Sequence, residues 1–343
     1  VDTRRYQPKL RALSIFAVAM LVLLAGITLL LAKTASSEAH QKNVQQFEID
    51  TQVNTRAVQT NLNNYSTTLY VGRSFLLNSQ LVTSSEWSGF YHNQDIFNRF
   101  KGMSSIDYVQ LVTAAQKDKF IADKRQLPDF GLNYDITPAG NRSTYAVGTL
   151  IVSSSDNIKL NGFDVFSTAD RRAVYQRAQD TGQPTASGKT TLASGSEGFF
   201  ITLPVNNDGT THGFVLVSLH VDDFFNALIE PPILGLNKLK ITDVTEPSKP
   251  TKLYNTASWD GITSGIRRND TVNFAGRQWR LDYQAPFNYT HAFAAVLFPY
   301  LVLLSGTLLI CILILILYIF FRTVPVKRLP PEHRKALNRR RDR

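Results

Sequence analysis

Cysteine is almost missing from this sequence: Cys311 is the only one in 343 residues. No disulfide can form within the chain, and a cysteine-based metal site is excluded. Formal charge is missing from two long runs, Ala12–Ala32 and Ala292–Phe321. Proline is missing between Thr34 and Asn78, where glycine occurs only at Gly72. An excess of either sign is missing from the middle of the chain. Of 37 basic and 27 acidic residues, 13 basic and 3 acidic ones lie in residues 1–11 and 322–343, leaving 24 of each between. A nucleic-acid-binding protein carries its basic surface on the folded body. That class is excluded.

What is present begins beside those basic ends. A helix rises ~1.5 Å per residue, so about 20 residues cross the ~30 Å hydrocarbon core of a bilayer. The first uncharged run has 21 residues and the second has 30. The second exceeds need, so it tilts or projects from the bilayer, with Pro299 as a kink or an entry turn. Lys and Arg beside a span stay in the cytoplasm. Both ends are therefore expected inside, with residues 33–291 in the periplasm or extracellular space. A cleaved signal peptide is the competing reading of the first run, with Ser37 and Ala39 as small residues at a cleavage site. Its apolar stretch exceeds the usual ~7–15 residues, which favours a retained anchor.

Val58, Leu62, Tyr65, Leu69 and Leu76 recur at helical spacing and predict a long stalk helix leaving the membrane. It packs on the domain or forms a homodimer seam, although no strict heptad is sustained. Next comes a mixed region. Ile106–Thr113 alternates like a strand and Ala114–Leu127 is helical. Tyr145–Val152 and Phe199–Val205 suit buried strands. Ala169–Asp180 predicts an amphipathic helix, capped by Ser167 or Thr168 and stopped by Gly182. A second small α+β unit follows from about Gly213. It has strands at Phe214–Val221, Lys238–Val244, near Leu253 and at Gln278–Gln284, with a short helix from Asp222 and turns at Pro231-Pro232 and Pro247–Pro250.

Motifs for catalysis and nucleotide binding fail. Ser187-Gly188-Lys189-Thr190 ends like a P-loop, but Gln183 stands where the first glycine is needed to wrap phosphates. Ser194-Gly195-Ser196-Glu197-Gly198 lacks the first glycine of a nucleophile elbow. His212, His220, Asp222 and Asp223 could share a strand face, without the spacing of a metal site. No catalytic residue, cofactor or metal is expected.

Residues Leu160–Val205 (LNGFDVFSTADRRAVYQRAQDTGQPTASGKTTLASGSEGFFITLPV) resemble the core of the CHASE sensory domain. The shared features are a Gly-aromatic-Asp, an Arg-containing helix ending in Asp-Thr-Gly, a β segment ending in Leu, and an apolar strand ending in Pro-Val. Asn133–Val152 resembles the preceding strands and Phe274–Leu281 the closing strand, so the likeness spans roughly residues 80–285. It implies an extracellular sensor between two spans, with two PAS-like subdomains after the stalk. The membrane-distal subdomain would bind a small molecule, which is an adenine-type cytokinin in the plant receptors. Family members usually continue into a histidine kinase or diguanylate cyclase, whereas 22 residues follow Phe321 here. The expectation is a receptor portion signalling to an output module or partner outside this chain. The alternative is an accessory membrane protein whose PAS-like units bind a protein partner. The Arg339-Arg340-Arg341 tail either holds anionic lipid or begins a signalling linker.

By the same resemblance, Asp164 accepts hydrogen bonds from a purine ring, helped by backbone groups of the strand through Ala186. A turn aspartate capping backbone N–H groups is the other reading. Tyr108, Tyr145, Phe166, Thr190, Phe200 and Thr202 could line the pocket, and the same aromatics could equally be core. Arg171, Arg172 and Arg177 read as a solvated face, or less simply as an anion site. The expected architecture is α+β. Two transmembrane helices flank an extracytoplasmic domain made of a long stalk helix and two PAS-like subdomains. Its parts are a basic tail (1–11), a span (12–32), the stalk (33–78), the distal ligand-binding subdomain (79–206), the proximal subdomain (207–290), a span (291–321) and a basic tail (322–343). The expected partners are a small-molecule ligand of purine or cytokinin type, the lipid bilayer and a second copy bound through the stalk.

Overall fold

The computed structural model describes residues 6–154, 160–229, 238–287, 289 and 293–323. The basic ends at 1–5 and 324–343 and the Pro231-Pro232 turn lie outside them.

Helix α1 runs Tyr6–Leu77. With no proline after its first turns and few glycines, nothing in its sequence interrupts the hydrogen-bond ladder. The expected first span and stalk therefore lie on one helix. Helix α7, Phe293–Thr323, contains Pro299 inside it, not at an entry turn. The chain falls into two compact units, one of residues 1–46 and 290–343 and the other of Phe47–Tyr289.

In the first unit, α1 from Ile15 and α7 over Leu297–Ile319 are each long and apolar enough to cross a membrane by length and composition. Their large apolar side chains, among them Ile15, Leu29, Leu304 and Ile316, are exposed. The helices touch where a small residue allows it. A Cβ placed on Gly306 would lie 2.1 Å from Thr28 Cγ2, so only glycine fits this contact. Gly306→Leu is therefore expected to lower the melting temperature of the chain in nanodiscs, with Gly306→Ala between it and the parent.

The second unit has two antiparallel sheets. The six-stranded one has the order β2-β1-β6-β5-β3, with β4 also on β5. Its strands are β1 (Met103–Thr113), β2 (Thr144–Ser153), β3 (Thr185–Ala186), β4 (Thr190–Thr191), β5 (Glu197–Asn207) and β6 (Thr210–His220). The four-stranded sheet has the order β8-β7-β10-β9, from β7 (Lys238–Asp243), β8 (Thr251–Asn255), β9 (Thr263–Phe274) and β10 (Arg277–Pro286). Phe47, Val58, Leu62, Tyr65 and Leu69 form the buried stripe of α1. They join one core with α2 (Ser84–His92), α6 (Val221–Leu228) and residues of both sheets. Short α3 (Ile96–Arg99) precedes β1.

Four sequence expectations change. The division at 206/207 cuts between β5 and β6, which pair from Gly198↔His220 to Asn207↔Thr210. Phe214–Val221 therefore completes the six-stranded sheet and does not start a second unit. Ala114–Leu127 is a 3-10 turn, Ala114–Gln116, and a shorter α4, Lys117–Arg125. Phe274–Leu281 is not one strand, because Ala275-Gly276 turns the chain from β9 into β10 at positive φ. Strand β9 has no counterpart in the sequence reading.

Candidate functional site

The six-stranded sheet is covered on both faces. One face joins the core with α1, α2 and α6 through Ile106, Ile201, Val215, Val217 and Leu219. The other packs Val109, Ala146, Phe200, Phe214 and Leu216 against Val174, Tyr175 and Ala178 of α5 (Ala169–Thr181). Helix α5 starts after extended Thr168, whose side chain makes no cap hydrogen bond. It ends at Gly182, whose φ of 66° suits glycine alone. Among the described residues, Leu160, Val165 and Phe166 close the same layer.

Strand register places polar groups on this covered face. Directly opposed residues of antiparallel strands share a face. Asp107 opposes Ile151 of β2 and Leu216 of β6, and Leu216 in turn opposes Thr202 of β5. One row therefore runs Ile151, Asp107, Leu216, Thr202. Beside it, Ser105 opposes Ser218, which opposes Phe200. Asp107 and Thr202 are both 0% exposed. The Ser105 hydroxyl donates to Asp107 Oδ2 at 2.6 Å. Asp107 Oδ1 and Thr202 Oγ1 have no hydrogen-bond partner among the described residues. A narrow cavity of about 20 Å³ lies beside this row, lined by Leu160, Arg171, Tyr175, Leu192, Phe200, Leu216 and Ser218; it reaches the row through Leu216, and Asp107 and Thr202 are not in its lining. It has room for about one water-sized group. Arg171 donates to the Thr191 carbonyl at 2.9 Å, and its guanidinium lies over the Phe163 ring, 5.4 Å from the centroid.

Burial pushes the Asp107 carboxyl well above its ordinary value of 3.8, opposed by the Ser105 hydrogen bond. Tyr175 on α5, beside Arg171, is the tyrosine of the same layer that the Asp107 charge affects, and Tyr91 on α2 lies across the sheet in the other core. Burial raises both tyrosines, so they stay neutral over the ordinary pH range. A carboxyl raised by folding binds its proton more tightly in the folded chain than in the unfolded one. Stability is therefore lost as pH rises from the unfolded value toward the folded one. Asp107→Asn does not titrate and escapes this loss. Its stability relative to the parent is expected to grow between pH 4 and pH 7, read from urea denaturation at each pH. A difference that does not change with pH would contradict the assignment.

The residues expected from sequence are scattered about this layer. Asp164 is 0% exposed. Its Oδ1 accepts from the Ala146 N–H at 2.9 Å and the Phe166 N–H at 3.0 Å. Its Oδ2 lies 3.3 Å from Arg142 Nη1, near enough to pair in charge but not aligned as a hydrogen bond. Asp164 thus ties the 3-10 turn Val165–Ser167 to β2 and does not line the cavity. Tyr145 sits in a neighbouring cluster with Val112, Phe120 and Tyr134, and its hydroxyl donates to the Gly140 carbonyl at 2.8 Å. Phe166 packs edge-on against Tyr175 with centroids 5.8 Å apart. Ala186 is on the opposite face, its N–H donating to the Ala275 carbonyl at 2.7 Å. Tyr108 packs against that same core and donates to the His212 carbonyl at 3.4 Å. Thr190 pairs with Gly198 at the end of the sheet. Only Phe200 lines the cavity, with Thr202 beside it in the cross-sheet row.

A wider cleft of about 380 Å³ opens to solvent at the end of the sheet, lined by Lys101, Met103, Ser154, His220, Asp223 and Asn226. There His220 Nε2 lies 3.1 Å from Ser196 Oγ, and its Nδ1 lies 3.6 Å from Asp223 Oδ2. The second distance is too long for a hydrogen bond, and Asp223 is well exposed, so water competes for both groups. His212 is at the other end of β6. Among the described residues no group of three His, Cys, Asp or Glu could hold a metal ion.

Asp107 was the residue that sequence reasoning missed. It lies within the alternating strand Ile106–Thr113, where a charged residue reads as solvent-facing. The available signal was its position, two and four residues before Val109 and Leu111 on the same face.

A long helix and two antiparallel sheets, one with a covered polar row, define an α+β domain. The CHASE domain model matches residues 80–254, and the chain belongs to that family. Solved structures with similar folds include the Campylobacter jejuni chemoreceptor Tlp3 ligand-binding domain in complex with L-valine. It is 9% identical, with 74% of this chain and 96% of that chain covered and a TM-score of 0.45. The Pseudomonas aeruginosa PAO1 amino acid chemoreceptor PctC ligand-binding domain in complex with GABA is 13% identical, with coverages of 72% and 99% and a TM-score of 0.42. An extracellular ligand binding receptor from Desulfohalobium retbaense DSM5692 is 13% identical, with a TM-score of 0.37. The likeness covers 71% of this chain and 39% of that one. No curated protein matches the chain.

Proposed function

We propose that this chain is a membrane-anchored sensor. Its CHASE domain binds a small molecule between the six-stranded sheet and α5 and passes the change across the membrane to a cytoplasmic output module or partner. The observation that carries this reading is the covered row with two unpartnered polar groups beside a cavity. Buried polar groups are ordinarily hydrogen-bonded, and a ligand that supplied the partners would be favoured over one that could not. A cavity of about 20 Å³ must widen to admit more than a water-sized group. Ligand entry then moves α5 or the Leu192–Ala193 turn, and a change of state driven by differential affinity follows. Phe200 and Thr202 belong to the contact surface in this reading, while Asp164 shapes the turn that frames it. The basic ends support two spans with both termini inside. Ile49 and Val53, 53% and 57% exposed on α1, support pairing of two copies along that helix.

The test is a thermal-shift screen of the full chain in lipid nanodiscs against purines, amines, amino acids and organic acids. A ligand at about 100 times its Kd adds about 2.7 kcal/mol to stability. A panel with no stabilising member would overturn the reading. Orientation is checked in intact cells with an impermeant thiol reagent. A cysteine at exposed Leu132 is expected to label, and cysteines within 1–11 or 322–343 are not.

A further inference from the structure

Two buried carboxylates of the covered layer have an oxygen without a hydrogen-bond partner among the described residues, Asp107 Oδ1 and Asp164 Oδ2. Of the two, Asp164 already accepts two backbone N–H groups and faces Arg142. At Asp107 only Ser105 donates, and it donates to Oδ2. The direct cross-strand neighbours of Asp107, Ile151 and Leu216, are uncharged, and the cation that lines the cavity, Arg171, is engaged with the Thr191 carbonyl. Leu216 and Ser218, the cross-strand partners of Asp107 and Ser105, line the cavity. Two aromatic rings also line it: Tyr175 and Phe200 stack with centroids 5.6 Å apart and planes 25° from parallel.

We infer that Asp107 anchors a protonated amine of the small molecule held in this cavity. The inference rests on the reading that the space beneath α5 is a ligand site. An ammonium group supplies what Asp107 lacks, an N–H donor for Oδ1 and an opposite charge within the low-dielectric layer. The ring faces of Tyr175 and Phe200 favour the same group, since aromatic faces attract cations. A neutral donor leaves the buried carboxyl protonated, whereas an ammonium compensates the charge that appears when the carboxyl ionises. Thr202 Oγ1 lies two strands away, about 10 Å by the spacing of strands, and offers a second polar contact for a longer amine.

The experiment uses the full chain in nanodiscs. The probes are small primary amines from methylamine to phenethylamine, set beside adenine and organic acids as uncharged and anionic probes. At least one amine is expected to raise the melting temperature of the parent. Asp107→Asn is expected to keep the fold and to bind that amine at least about tenfold more weakly, the loss of a charge-assisted contact. A second readout uses the parent alone. Calorimetry in buffers of different ionisation enthalpy is expected to show about one proton released per amine bound, as the buried carboxyl ionises. If adenine or an acid stabilises the chain and no amine does, the amine assignment fails and the sensor reading stands. If no probe of any class stabilises it, both fail. Amine binding that survives Asp107→Asn unchanged, or that releases no proton, removes Asp107 as the anchor.

Discussion

Replacing Trp279 with alanine is expected to destabilise the domain by about 3–5 kcal/mol, the range for emptying a buried tryptophan site. Trp279 is 1% exposed on β10. Its ring lies 4.9 Å from Phe274 of β9, 5.5 Å from Phe225 of α6 and 5.5 Å from Phe199 of β5. The last contact reaches the six-stranded sheet, so a single side chain joins the two sheets within Phe47–Tyr289. Its indole Nε1 has no hydrogen-bond partner among the described residues. Trp279→Phe is therefore expected to cost clearly less than Trp279→Ala, because it keeps most of the packing and removes the buried donor. Urea denaturation followed by the β-sheet circular dichroism of the purified chain measures both. Equal losses in the two variants would mean that ring packing is not what holds the sheets together.

The same junction shows why parts of the fold were readable from sequence and others were not. Phe199–Val205 and Phe214–Val221 are mainly apolar runs, broken by Thr202, Ser218 and His220, because β5 and β6 lie inside a sheet covered on both faces. Such runs identify buried strands but not their partners, and the boundary at 206/207 was misplaced for that reason. Strand β9 (TSGIRRNDTVNF) is polar because it is an edge strand. Only Val272 and Phe274 are buried, and its place is set by the ladder to β10 and not by its own apolar pattern. Gly182 was legible because a positive-φ stop is a local requirement. Asp107 was not, because its surroundings are made by α5 and β6, more than 60 residues away in sequence.

Asp164→Ala is expected to destabilise the ligand-free protein by about 2–4 kcal/mol, since it strands buried backbone donors. Two N–H groups, of Ala146 and Phe166, lose their shared acceptor at once. Loss of a side-chain cap alone costs about 0.5–2 kcal/mol, and each further buried donor left unpaired adds about 1–3 kcal/mol. Arg142 loses its charge partner as well, but its side chain is 18% exposed and can turn toward water. Asp164→Asn keeps one carbonyl oxygen for both N–H groups and is expected to lose less than half as much. The order Ala far below Asn would place the role of Asp164 in holding the Val165–Ser167 turn against β2. If instead both variants matched the parent in stability while ligand affinity fell, Asp164 would be a direct contact of the kind its place in the family motif implies. The two outcomes separate because backbone capping acts without ligand, whereas recognition of a purine ring acts only with one. Since the turn leads directly into α5, a loosened turn is also expected to weaken every probe equally, without changing which class of probe is preferred. Asp107→Asn, by contrast, is expected to change the preference and not the stability of the turn.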